Sequence, residues 1–391
     1  MAKYKKINIV EKLMFLYFVL FPFGHLLTLR LSILGKLIPL NVSDLISVVF
    51  LIIFFVKKVR YPTVYIYFKN FLILAVFSQI FFIARFGITN SIIGNLYLLR
   101  LISYTAMFIV IWNYVLENKK VIDRIFDYLI IVSFFIAIFG WLQYLIYPDL
   151  RSLIALGWDD HLFRIVGTFI DPTFTAILLV FGFLLSLIKY QKTKKNIYVL
   201  ALVPILLALY FTYSRAGYLS LIAGVLTYLF IKKKIKISFI VIPIFLLGLI
   251  LLPRPSSEGV HLERTFSIKA KVTNYYETSK IFLKNPIFGI GYNNLCWARS
   301  KYLDELDTDS HSCSGSDSGI LLLLATTGVV GFLIFISFLY MIVKTLKTNY
   351  CGIAFISCFS ALVVHSQFSN SIFYPWVIGF FVFLSAVSIK E

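Results

Sequence analysis

Long apolar runs separated by short polar stretches dominate the chain. Several exceed the roughly 18 residues that suggest a helix able to cross a bilayer. Their spacing predicts twelve membrane helices, near 13–29, 38–56, 64–84, 95–116, 126–147, 172–188, 197–213, 216–231, 237–252, 319–343, 351–367 and 372–388. The polar stretches alternate in kind. Lys57, Lys58 and Arg60 share one loop, and Lys119, Lys120 and Arg124 the next but one. Lys189, Lys192, Lys194 and Lys195 follow, then Lys232, Lys233, Lys234 and Lys236, then Lys344 and Lys347. Every second loop is basic, so these loops and both termini are expected in the cytoplasm. The start, Met1-Ala2-Lys3-Tyr4-Lys5-Lys6, is basic, and no small-residue cleavage site follows its apolar run. It reads as a first span rather than a cleaved signal.

The opposite face carries two longer segments, Pro148 to Asp171 and Pro253 to Ser318. Loops of that length are usually functional or disordered. The second contains aromatic residues, Pro-Ile-Phe-Gly and Trp297, so order is expected, with a helix near Ala270 to Leu283. The chain therefore divides into 1–252 with nine spans, 253–318 as an external segment, and 319–391 with three spans. No internal repeat is visible, which gives little support to a transporter of two matched halves.

Composition fits this pattern. The chain is 60% hydrophobic and 14% charged, which excludes an ordinary soluble domain and predicts an all-α integral membrane protein. Net charge is +19, from 37 Lys+Arg against 18 Asp+Glu. That excess lies mostly in the alternate loops, so it marks topology rather than a nucleic-acid face.

Arg215 is the first residue to call for chemistry. It lies in Thr212-Tyr213-Ser214-Arg215-Ala216-Gly217, between two apolar runs with almost no loop to carry it into water. A charge at a helix centre costs roughly 2.5–3.5 kcal/mol, and less near the surface, unless it has a partner. An anion is the natural partner, and Arg grips a phosphate bidentately. Other polar residues gather on the same outer side: Arg100, Gln143, Arg164, Arg264, Lys269, Lys271, His311 and Asp317.

Each has a structural reading beside the functional one. Arg100 can snorkel or bond a carbonyl inside the bundle. Arg164 can pair with Asp171 or Asp160, and Gln143 can join two helices. Arg264 and Lys269 can be solvated loop charges, and His311 a solvated loop histidine. Asp317 can cap the helix that follows it. Together they form a cationic outer cavity with an acid and a histidine nearby. That suits a pyrophosphate and a hydroxyl that loses a proton.

Cys296 and Cys313 fall in the long outer segment, where a disulfide is plausible in an oxidising compartment. Asp307-Thr308-Asp309 has the form of a metal-binding Asp-x-Asp but also of a solvated acidic loop. No His/Cys cluster, nucleophile elbow, dinucleotide fingerprint or Walker loop is present, so neither metal nor cofactor is expected.

Four segments carry a family resemblance. They are Arg164 to Thr173, Tyr213-Ser214-Arg215-Ala216-Gly217, Asn285-Pro286-Ile287-Phe288-Gly289-Ile290-Gly291, and Asp317 followed by Gly328-Val329-Val330-Gly331. In that order, over roughly Gln143 to Gly331, the chain resembles the O-antigen polymerase and O-antigen ligase superfamily of bacterial envelopes. The resemblance implies a GT-C-class glycosyltransferase of the inner membrane, acting on undecaprenyl-pyrophosphate-linked sugars at the periplasmic face. Membrane lipids are its surroundings, and a chain-length regulator is a candidate partner.

The resemblance also distributes roles. Arg215 matches an Arg that follows Ser in the ligases. Lys271 stands where a second Arg is expected, and Asp317 where a His is expected. Arg215, Lys271, Arg264, Arg164 and Arg100 are the candidate pyrophosphate ligands. Asp317 or His311 would orient or deprotonate the acceptor hydroxyl. Gln143, Tyr275, Tyr276, Tyr292 and Trp297 are candidate glycan contacts, although the aromatics can equally pack against the bundle. The missing His favours a polymerase that lengthens a lipid-linked glycan over a ligase that attaches it to lipid A core. A flippase for the same lipids would place charges near the bilayer midplane, whereas these gather at one face.

Overall fold

The computed structural model describes residues 9–33, 36–303 and 315–390. A first helix, α1 (Ile9–Leu20), runs into a 3-10 segment, Phe21–Leu27. An antiparallel hairpin follows, β1 (Thr28–Ile33) and β2 (Lys36–Asn41), with Thr28 opposite Asn41. The fold is mostly helical, as expected; the hairpin corrects only the spans expected at 13–29 and 38–56, which both run into it. Leu29, Leu31 and Ile33 alternate with Arg30 and Ser32, which is a strand period. Pro39 is tolerated because a two-stranded ribbon leaves each strand an open edge.

The next helices are α2 (Val42–Val56), α3 (Thr63–Phe86), α4 (Ile92–Glu117), α5 (Val121–Ile146) and α6 (Pro172–Thr193). Then come α7 (Ile197–Phe211), α8 (Arg215–Ile231) and α9 (Ser238–Ile250). The segment after α9 supplies α10 (Phe266–Lys284) and the short α11 (Leu295–Tyr302). The chain closes with α12 (Gly319–Thr345), α13 (Tyr350–His365) and α14 (Pro375–Ser388). Among the described residues, six helical segments are long and apolar enough to cross a membrane, and six shorter ones of 10–17 residues are also apolar. The protein is a mostly helical integral membrane protein.

The hub is α6. Ala176, Ile177, Leu178, Leu179, Val180 and Phe181 are all fully buried, and α6 packs against α5, α7, α8 and α13. A helix apolar on every side belongs in the centre of such a bundle. Its start is set by Asp171, whose Oδ1 accepts from the N–H groups of Thr173 (2.5 Å) and Phe174 (3.0 Å). Pro172 then fills the first helical position, where its missing N–H costs nothing. At the far end of α6, Lys189 is almost fully buried and bonds Asp123 (2.6 Å) and Asp127 (3.2 Å). One of the basic loop charges is thus neutralised within the fold.

Helix α10 lies where a helix is expected near Ala270 to Leu283. Thr278 and Ile281 are its buried residues, and it packs on α12. Helix α12 is broken at Gly328, whose φ is 68° and ψ −174°. The segment 285–291 fills the break. Pro286 O accepts from the Val329 N–H (2.8 Å), Ile287 O from the Val330 N–H (3.2 Å), and Ile290 N–H donates to Ala325 O (3.0 Å). A membrane helix can be interrupted only where other groups satisfy the freed backbone. The same segment is anchored to α3. Ser78 Oγ accepts from the Tyr292 N–H (3.2 Å), and Gln79 bonds Tyr292 O (2.5 Å) and Asn294 (2.9 Å).

Candidate active site

Three arginines meet beside the turn between α7 and α8. The turn residue Tyr213 has φ 49°, a left-handed conformation uncommon outside glycine. Ser214 then caps α8 by accepting from the Gly217 N–H (3.2 Å). Arg164 is 7% exposed; its Nε donates to Thr212 O (3.0 Å) and its Nη2 to Tyr213 O (3.4 Å). Arg264 donates to the same Tyr213 O (3.4 Å), and also to Gly259 O (2.9 Å) and His261 O (2.8 Å). Arg215 donates to Arg264 O (3.0 Å), Leu262 O (3.1 Å) and Ser267 Oγ (2.8 Å). The Arg164 and Arg264 guanidinium groups thus share Tyr213 O, and Arg215 joins them through the backbone carbonyl of Arg264.

The partners are carbonyls and a hydroxyl. No carboxylate lies within 4 Å of these three groups among the described residues; the ion pairs there involve other cations. The acid nearest in sequence, Glu263, is taken by Arg254 (3.1 Å) and His261 (3.3 Å). Among the described residues the positive charge is therefore positioned but not neutralised. Burial and the nearby Arg264 pull Arg164 down to about 10, with Asp171 opposing. Burial, then Arg215, pulls Arg264 down as well. Arg164 nonetheless remains a cation at neutral pH. Such a cluster is relieved by an anion that fits between the guanidinium groups.

Gln143 holds the loop that carries Arg164. Its Oε1 accepts from the N–H groups of Val166 (3.0 Å) and Gly167 (3.2 Å). Its Nε2 donates to Tyr147 O (3.1 Å) and Arg164 O (3.4 Å). The amide is thus committed to backbone, and its influence on a ligand runs through Arg164.

Lys271 and Asp317 stand together. Lys271 Nζ bonds Asp317 Oδ1 at 2.8 Å and Phe368 O at 2.7 Å. Asn274 Oδ1 accepts from the Asp317 N–H (2.8 Å). The cap of α12 is Ser318, whose Oγ accepts from the Leu321 N–H (3.2 Å), so Asp317 is left half-buried and uncommitted to capping. Tyr275 donates to Gln367 O (2.6 Å) beside this pair.

The remaining candidates lie elsewhere. Arg100 forms a bidentate pair with Asp44, Nε to Oδ1 at 2.9 Å and Nη2 to Oδ2 at 2.6 Å. Both side chains are largely buried, so losing one partner strands a charge. Asp44→Ala is expected to destabilise the protein by about 3 kcal/mol, and the double change Asp44→Leu with Arg100→Met to recover most of that. Thermal unfolding in detergent would measure both; equal losses in the single and double variants would refute a coupled pair. Tyr292 is 4% exposed and packs on Phe71 and Phe373. Trp297 packs among Phe82, Phe86 and Tyr302, with Lys301 over its ring. Tyr276 is 62% exposed, with the Lys280 ammonium 4.3 Å from its ring centre. Cys296 is buried at the start of α11. His311, Cys313 and the acidic run 304–309 lie outside the described residues, and with them the proposed Cys296–Cys313 pairing.

Residues 200–336 match the family model described as O-antigen ligase. No curated protein matches the chain. The matched region spans α7 through most of α12, and so contains Arg215, Arg264, Lys271 and Asp317 together with both halves of the α12 break. Arg164 and Gln143 lie before it and are brought to Arg264 by the fold. Two features of this region were not singled out in the sequence. Asp44, the Arg100 partner, was visible as an acid in the first turn of an apolar helix. His161, three positions before Arg164, is 6% exposed and had no motif to mark it.

Proposed function

We propose that the protein polymerises lipid-linked oligosaccharide repeats at the outer face of a bacterial inner membrane. The observation that carries this reading is the trio of Arg164, Arg215 and Arg264, the last two inside the region that matches the O-antigen ligase model, with no carboxylate neutralising them among the described residues. Three cations tied to carbonyls suit the diphosphate of an undecaprenyl carrier better than a neutral sugar. In this reading the apolar helices make up twelve spans, the basic loops and termini are cytoplasmic, and the 253–318 segment is periplasmic. The two substrates are a growing glycan on its carrier and an incoming lipid-linked repeat.

The step is a single displacement. An acceptor hydroxyl gives its proton to Asp317, and its oxygen bonds the anomeric carbon of the donor. The bond from that carbon to the diphosphate oxygen breaks, and its electron pair leaves with the diphosphate. The arginines hold the charge that develops there without a metal. Lys271 holds the Asp317 carboxylate in place through its 2.8 Å contact. Tyr276, the most open of the candidate aromatics, offers a ring face to a sugar.

A ligase reading is favoured by the description of the matched family. The two differ in product. Purified full-length protein supplied with lipid-linked repeats is expected to yield a ladder of lengths. Transfer onto lipid A core without lengthening would establish the ligase. Turnover of neither acceptor would overturn glycosyl transfer as the function.

A further inference from the structure

His161 is a buried polar side chain that no described contact satisfies. Both ring nitrogens, Nδ1 and Nε2, are inaccessible to solvent and lack a hydrogen-bond partner among the described residues. Buried polar groups are nearly always paired, and an exception calls for an explanation. The surroundings suggest one. The ring lies in the field of Arg164 and Arg264 on one side of the charge balance and of Asp171 and Asp160 on the other. The loop that carries it holds Phe163 at φ 55° and Ile170 at φ 55°, the second a β-branched residue for which this conformation is rare. Such strain persists where the surrounding structure fixes it, often at a ligand site.

We propose that His161 is a fourth ligand of the anion site, donating a ring N–H to a diphosphate held by Arg164 and Arg264 and taking up a proton when that anion binds. The inference rests on the diphosphate reading above and adds a residue and a proton to it. In the free protein, burial first and Arg164 second pull the imidazole down to about 4, so it is neutral at physiological pH. A diphosphate between the arginines reverses both influences of charge. It offsets the guanidinium groups and places anionic oxygens beside the ring, which favours imidazolium. The proton comes from solvent, and no bond other than N–H is made. Linkage fixes the sign: a group protonated in the complex and neutral in the free protein makes binding weaker as pH rises from the free value to the bound one.

The test uses full-length protein in detergent, labelled with ¹³C at its histidines, and inorganic pyrophosphate as the probe. The chain has five histidines, so His161→Gln assigns the resonance by its loss, with His161→Asn in reserve if that variant does not fold. Without pyrophosphate the His161 signal is expected to stay neutral down to about pH 5, and with it to charge at a midpoint about two pH units above its free value. Wild type should then outbind His161→Gln by about tenfold near pH 5, with the gap closing by about pH 8. Binding of pyrophosphate with His161 still neutral overturns this proposal and leaves the proposed function standing. Failure of wild type to bind pyrophosphate overturns both.

Discussion

Arg215→Ala is expected to lower glycosyl transfer by about 100-fold or more while expression and melting temperature stay near those of wild type, since removing one preorganised donor to a developing oxyanion costs that much elsewhere. The geometry adds a sharper expectation. Arg215 donates to Leu262 O, Arg264 O and Ser267 Oγ, so it positions the segment that carries Arg264 as well as offering its own charge. Lysine has the charge without the fork of donors and cannot bond all three and a phosphate. Arg215→Lys should therefore recover little. Arg264→Ala added to Arg215→Ala should cost less than the two single losses multiplied, because both act on one hydrogen-bonded unit. The measurement is initial rate of ladder formation with purified protein, alongside pyrophosphate inhibition. Near-normal transfer by well-folded Arg215→Ala protein would remove the central assignment.

Arg215 was legible in the sequence for an energetic reason: a guanidinium with no loop around it needs a partner. Its company was less legible. Three-residue and four-residue spacings on a helix can be read directly, but Arg164 and Arg264 meet through Tyr213 O across about a hundred residues of chain. No local pattern encodes that meeting. The same limit applies to Arg100. Its burial in α4 was evident, yet Asp44 lies on another helix, and only packing shows that the charge is already answered there. The helices followed from apolar runs, whereas the hairpin was overlooked although β1 has a period of two. A run of apolar residues on both sides hid a short alternation between them. His161 shows a further limit: composition marks a histidine but not the absence of its partners.

Gly328→Ala is expected to destabilise the protein by roughly 4–6 kcal/mol, of which roughly 1–3 is conformational strain and the remainder unsatisfied backbone. A Cβ at Gly328 would lie 2.1 Å from Ile287 O and 2.3 Å from Ile287 C. That atom is the carbonyl that accepts from the Val330 N–H, so the added methyl displaces the group that makes the break in α12 tolerable. From the other side, a Cβ at Gly289 would lie 2.4 Å from Thr326 C and 2.5 Å from Thr326 O. Each glycine makes room for the backbone of the other segment. Either substitution opens the same interlock, so the double variant should be little worse than the single ones. Gly87 supplies the control. It has φ 83° and ψ 160°, the same extended positive-φ region as Gly328, but nothing stands within 4 Å of its missing Cβ. Gly87→Ala should therefore cost only the strain, roughly 1–3 kcal/mol. Thermal unfolding in detergent compares the three directly, and parity of Gly328→Ala with Gly87→Ala would mean that strain alone, without the interlock, accounts for the glycine. If the interlock holds, its loss should also reduce transfer in whatever protein still folds. The 285–291 segment joins α10, which carries Lys271, to the break in α12, whose first residues follow Asp317. The acid and its ammonium partner would then no longer be held on two elements locked to each other.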